Sequence, residues 1–207
     1  MRRNTLILSS LAIPVLLGLM VLPPLQASAA TYSIDLIACD DGGVAKWKGS
    51  DNIITYKIDN VAGLKSSVVD AVRAGIQEWN TVQDVYNLQE VQGTDADITV
   101  SLYYKVTPGY VLGYAIVDCA SASDGISGAT IVLGVKGLSN TGVKNLAAHE
   151  MGHGLGDGHA NVKGDLMYAS FDSKERRTLY CPSDLDVGGL SATTSPHESS
   201  TWERLTC

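Results

Sequence analysis

The chain predicts an α+β domain, one sheet with helices packed on it. Three observations carry that reading: four short runs with strand periodicity, three stretches with helical character, and an element order β-α-β-β-β-α-α that lacks regular strand–helix alternation. With 207 residues, 45% of them hydrophobic, the chain is long enough for one buried core. Its composition excludes collagen, coiled coil and a wholly disordered chain.

Residues 31–52 read as an irregular lead-in, with Asp40-Asp41-Gly42-Gly43 as a turn. Ile54, Tyr56 and Ile58 then alternate with Thr55 and Lys57, the period of a half-buried strand. Ser67-x-x-Asp70 resembles a capping box that opens a helix. In it Val69, Val72, Ile76 and Trp79 recur at helical spacing, and it ends near Val82. Ile98, Val100 and Leu102 give a second strand, and 111–117 and 130–135 are two further candidates, separated by a loop of small residues from Ala120 to Gly128. From Thr141 the pattern is helical, capped by Asn140 or Thr141, with Val143, Leu146, Ala147 and Met151 on one stripe. After Asp157 the chain reads as irregular until Ser183-Asp184, which opens a last helix through Leu190. From Ser191 onward it reads as a Ser/Thr-rich tail, in which His197 is solvated.

Arg2 and Arg3, an apolar run from Leu6 to Leu25 and Ala27-Ser28-Ala29 have the composition of a cleaved export signal. Pro14, Pro23 and Pro24 count against the competing reading, an anchor helix that stays in the membrane. Cleavage after Ala29 removes two arginines and takes the net charge from −7 to −9. The expectation is a secreted, acidic, monomeric protein, with residues 1–29 as signal and 30–207 as a single domain. Its acidity excludes nucleic acid as a main partner, and after cleavage no membrane association is expected. Cys39, Cys119, Cys181 and Cys207 all lie beyond the signal, and an even count in an exported chain indicates two disulfides. Three connectivities are open. The favoured one joins Cys181 to Cys207, tying down the tail, and Cys39 to Cys119.

Three of the four histidines fall within eleven residues, His149-Glu150-Met151-Gly152-His153-Gly154-Leu155-Gly156-Asp157-Gly158-His159. Four residues apart on a helix, His149 and His153 stand about 40° from each other around the axis and can share one metal ion. Glu150 is too close in sequence to share that metal, but its carboxylate can reach a water bound there. Gly156 lets the chain reverse, so that His159 can return as a third nitrogen ligand. Three nitrogens plus an open water position is the pattern of catalytic zinc.

These eleven residues match HExxHxxGxxH, the metzincin motif, and Asp165-Leu166-Met167-Tyr168 resembles the Met-turn that follows it. Within the metzincins the chain most resembles the matrixins, the matrix-metalloproteinase-like group, although Ala169 stands where their turn commonly has proline. Ile76–Val82, Ala96–Val100, Leu112–Ile116 and Asp186–Leu190 resemble other matrixin segments, so the likeness covers about 53–192, with 193–207 as a tail.

The resemblance implies a metzincin-like catalytic domain: a twisted mixed β-sheet, an active-site helix and two further helices. It implies a secreted zinc endopeptidase, a peptide hydrolase that cuts internal bonds of extended protein or peptide substrates with a water activated by Glu150 and the zinc. His149, His153 and His159 would hold one catalytic zinc, Met167 would floor the site, and Leu112, Gly113, Tyr114, Ala115 and Ile116 would form the substrate edge strand. Tyr168 directly follows Met167 and is not counted as a ligand. No histidine precedes His149, so a second, structural zinc has no ligands of that type. Calcium at Asp118 and Asp124 is unsupported by any further signal.

Overall fold

The computed structural model describes residues 31–49, 52–106, 112–170 and 179–207. The export signal expected over 1–29, and Val111 of the third strand candidate, lie outside the described residues. The elements are β1 (Tyr32–Leu36), β2 (Ile53–Asp59), α1 (Ser66–Val82), β3 (Asn87–Glu90), β4 (Ile98–Tyr103), β5 (Gly113–Asp118), β6 (Gly128–Gly134), α2 (Asn140–Leu155), β7 (Asp157–Ala160), α3 (Asp184–Ser191) and β8 (His197–Ser199). The architecture is α+β, with a mixed sheet and three helices, as the sequence predicts.

The main sheet has the order β3-β2-β4-β6-β5. All its pairings are parallel except β5 against β6, which leaves β5 as an antiparallel edge strand. Alternation sends Ile54 and Tyr56 of β2, and Ile98, Val100 and Leu102 of β4, into the core. β6, paired on both sides, carries the continuous buried run Ile131-Val132-Leu133.

Helix α1 buries Val72, Ile76 and Trp79 against α2. Its start differs from the expected capping box. Lys65 is the N-cap and gives no side-chain cap bond, Ser67 already lies inside the helix, and the Asp70 carboxylate accepts instead from Arg73 Nη1 at 2.8 Å. Helix α2 is capped one residue earlier than expected, by Ser139, whose Oγ accepts from Gly142 N at 3.2 Å. Helix α3 opens at the expected residues, and Ser183 and Asp186 form a reciprocal capping box.

Three segments depart from the sequence reading. The lead-in contains β1, the stretch read as irregular after Asp157 contains β7, and the tail contains β8; β1 pairs antiparallel with both of the others in a second sheet of order β7-β1-β8. His197 is accordingly a half-buried strand residue opposite Ile34, not a solvated tail side chain. The tail packs further: Trp202 Nε1 donates to Asp165 Oδ2 at 2.7 Å. Disulfides join Cys39 to Cys119 and Cys181 to Cys207, the favoured connectivity. No described helix is long and apolar enough to cross a membrane.

The α1–α2 contact positions everything below. Trp79 Nε1 donates to Ala148 O at 2.8 Å inside the core. At Gly75 a Cβ would overlap the carbonyl oxygen of Lys144 and stand 3.1 Å from Ala147 Cβ, so the helices touch backbone to backbone there. Gly75→Ala should therefore destabilise the protein by about 1–3 kcal/mol, the cost of overpacking, despite a helix-propensity gain of up to about 1 kcal/mol. Chemical denaturation checks this, and a raised midpoint would contradict the tight crossing.

Candidate active site

The last two turns of α2 carry His149, Glu150 and His153, and β7 carries His159. The helix ends at Gly156, whose φ is +112°. A Cβ there would lie 2.6 Å from Ala45 O, so both the conformation and the space demand glycine. The reversal feeds directly into β7, which β1 holds through Leu36↔Asp157 and Ile34↔Ala160. His159 is thereby returned to the two helical histidines. The ring centroids of His149 and His153, and of His153 and His159, are 4.8 Å apart, and those of His149 and His159 are 5.6 Å apart.

One ligand nitrogen from each ring lies within 4.8 Å of the others. His149 Nδ1 is 2.6 Å from Leu166 O, and His153 Nδ1 is 2.8 Å from Asp157 O. A carbonyl only accepts, so each Nδ1 carries the proton and Nε2 carries the lone pair, the tautomer a metal requires. Burial lowers the His149 imidazole to about 3 and that of His153 to about 4, and it also lowers His159. All three are neutral at neutral pH, and the set fits a zinc site.

Glu150 is 4% exposed, and its Oε2 has no hydrogen-bond partner among the described residues. Burial pushes its carboxyl up to about 8, and a cation between the imidazoles would oppose that shift. Across from it is Gly113 of β5. A Cβ at that position would stand 2.7 Å from Glu150 Oε1 and 2.9 Å from Cγ. The edge strand thus lies directly on the carboxylate.

Met167 is fully buried beneath α2, against the Cβ-free face of Gly152. The turn that holds it is fixed at both ends: Met167 N donates to Asp165 Oδ1 at 2.8 Å, and Ala160 N donates to Met167 O at 2.9 Å.

These residues border a cavity of about 520 Å³, lined by all three histidines, Glu150, Leu112, Gly113, Tyr114 and Ala115. Ile116 lies farther along β5, 55% exposed, and does not line it. Ile37, Leu146, Ala169 and Ser170 also line the cavity; Leu146 lies on the α2 stripe and Ala169 directly follows the Met-turn, whereas no motif or spacing marks Ile37 or Ser170 in the sequence. Asp165 belongs to the Met-turn motif, but nothing in the sequence shows that it ties the Met167 turn to Ser183 and Trp202. Among the described residues, the other cluster of metal-capable side chains is Glu78 with Cys181 and Cys207, whose sulfurs are bonded to each other. Asp118 and Asp124 belong to neither group, and Asp124 Oδ2 accepts from Ser121 Oγ at 2.7 Å.

Comparison with known proteins gives two findings. The family model described as Metallo-peptidase family M12B Reprolysin-like matches residues 51–160. The chain is also similar to three human proteins. It is 29% identical to matrix metalloproteinase-20 over 75% of its length, 28% identical to neutrophil collagenase over 72%, and 30% identical to matrix metalloproteinase-26 over 69%. The similar region spans 34%, 33% and 57% of those proteins' own lengths, respectively.

The lowered imidazoles set the pH dependence of metal binding. Protons compete with a metal only where the folded-state imidazoles titrate, which for His149 and His153 lies well below the ordinary 6.5. Zinc affinity, measured by chelator competition from pH 8 to pH 4, should begin to fall only below the ordinary 6.5, as the half-buried His159 titrates, and fall more steeply further down as His153 and then His149 protonate. A decline that begins at 6.5, as for an unstructured histidine peptide, would contradict the buried geometry.

Proposed function

The chain belongs to the reprolysin-like M12B metallopeptidase family, and so to the metzincins, and on that premise we propose that it is a secreted zinc endopeptidase of matrixin-like type. The observation that carries this reading is one cleft in which three neutral imidazoles, a buried carboxylate and an exposed antiparallel strand edge come together. His149, His153 and His159 would hold the metal. Zinc in such a site lowers the pKa of a coordinated water and acts as a Lewis acid toward a carbonyl oxygen.

The remaining work falls to the chain's own groups. Glu150 is the one carboxylate lining the cleft among the described residues, and it takes the proton of the attacking water and returns it to the leaving amine. Met167 contributes no ligand atom; its bulk under Gly152 fixes the height of the metal-binding turn. The outer side of β5 is unpaired in the sheet order and offers main-chain hydrogen bonds to an extended substrate. That mode favours a polypeptide over a compact metabolite. Secretion is supported by the two disulfides and by the leader-like composition of residues 1–29. A matrixin-like type is supported by the Leu166-Met167-Tyr168 turn and by the three human relatives.

Glu150→Ala separates chemistry from metal binding. It removes no nitrogen ligand, and alanine is the better helix former. Zinc should stay at one per chain, while turnover of a quenched peptide falls by about 10²–10⁴-fold. His153→Ala should lose zinc and activity together. Near wild-type turnover by Glu150→Ala would overturn the assigned mechanism.

A further inference from the structure

The cleft has one wall that comes from outside the helix, the edge strand and the Met167 turn. Ile37, from the segment just after β1, lines it together with Gly158 and His159. Four features hold this residue in place. Its N–H donates to Gly156 O at 2.8 Å, at the turn that ends α2. Its carbonyl accepts from Ala45 N at 2.8 Å. Two residues on, Cys39 is bonded to Cys119, the residue immediately after β5, and Asp40 N donates to Cys119 O at 2.9 Å. Finally, the β1–β7 pairing shifts register between Ile34 and Leu36, the kind of irregularity that re-aims a neighbouring side chain at the rim of a site.

The Ile37 side chain is half-buried against a small apolar cluster of Cys39, Ala45, Cys119 and Ile126, separate from the main core. β5 leaves the carboxylate at Gly113 and runs to Asp118, so its far end is tied by the disulfide to the segment that carries Ile37. An extended chain that follows the edge of β5 away from Glu150 is led toward this aliphatic surface.

The geometry points to Ile37 as a specificity-determining residue: it contacts one substrate side chain on the His159 side of the scissile bond and selects an aliphatic residue there. This rests on the protease reading above and adds to it the class of polypeptide preferred. Leu146, Ala169 and Ser170, from α2 and the chain after Met167, also line the cleft.

The test is a position-scanning library of quenched peptides, cut by the full chain and by three variants with measured zinc content. The wild type should prefer aliphatic side chains at one position. Ile37→Ser should lower that preference about tenfold, the low end of what one methylene in an apolar pocket confers, and leave every position on the other side of the bond unchanged. Ile37→Leu should keep the preference. Ile37→Arg should create a new preference for Asp or Glu at that same position, a gain that loss of structure cannot produce. An unchanged profile in Ile37→Ser and Ile37→Arg, or changes confined to the other side of the bond, would overturn the inference while leaving the protease reading intact. A wild-type chain that binds zinc and cuts no peptide would overturn the protease reading, and this inference with it.

Discussion

The site depends on one reversal of the chain. Helix α2 carries two of the three imidazoles of the proposed zinc site, and the third can join them only if the helix stops at Gly156 and returns at once. The left-handed φ of +112° and the 2.6 Å approach of Ala45 O to the position of a Cβ leave no other residue type room there. A helix end also exposes carbonyls that need partners. Here the lead-in supplies them: Trp47 Nε1 donates to Gly154 O at 2.8 Å and Ile37 N to Gly156 O at 2.8 Å. A segment far earlier in the sequence thus completes the end of α2, and a disulfide to the residue after the edge strand secures it.

Burial does the electrostatic preparation. It keeps the histidines neutral, and two backbone carbonyls fix the protonated nitrogen in His149 and His153. The same burial raises Glu150, leaving a carboxyl that a cation would return to its charged form. Beneath the helix, Asp165 joins the Met167 turn to Ser183 at the start of α3 and to Trp202 of the tail. The floor of the site is therefore braced by the C-terminal segment of the chain, with the Cys181–Cys207 bond across it.

Legibility in the sequence follows the strength of local periodicity. Ile54-Tyr56-Ile58, Ile98-Val100-Leu102 and the Val72-Ile76-Trp79 stripe each turn a face toward the core, so the alternation of residue types is enough to locate their elements. The histidine cluster is legible because its spacing encodes the helix turn and the reversal. β3, β7 and β8 are not, because Asn87–Glu90, Asp157–Ala160 and His197–Ser199 are three or four residues long and mostly polar, and nothing local marks a strand held by distant pairing. β1 buries only Ile34 and Leu36, too little to stand out as a period. Ile37 and Asp165 act through partners distant in sequence, which spacing alone does not report. At α1, Ser67-x-x-Asp70 has the spacing of a cap, yet the helix begins before it.

The central claim is that three imidazole nitrogens from α2 and β7 hold a single zinc with one position left open. X-ray absorption at the zinc edge on the purified full chain, together with its zinc-to-protein ratio, tests it directly. The account predicts one zinc per chain with three imidazole nitrogens and one oxygen at about 2.0–2.1 Å. A shell of sulfur at about 2.3 Å, two imidazoles instead of three, or a second zinc per chain would contradict it.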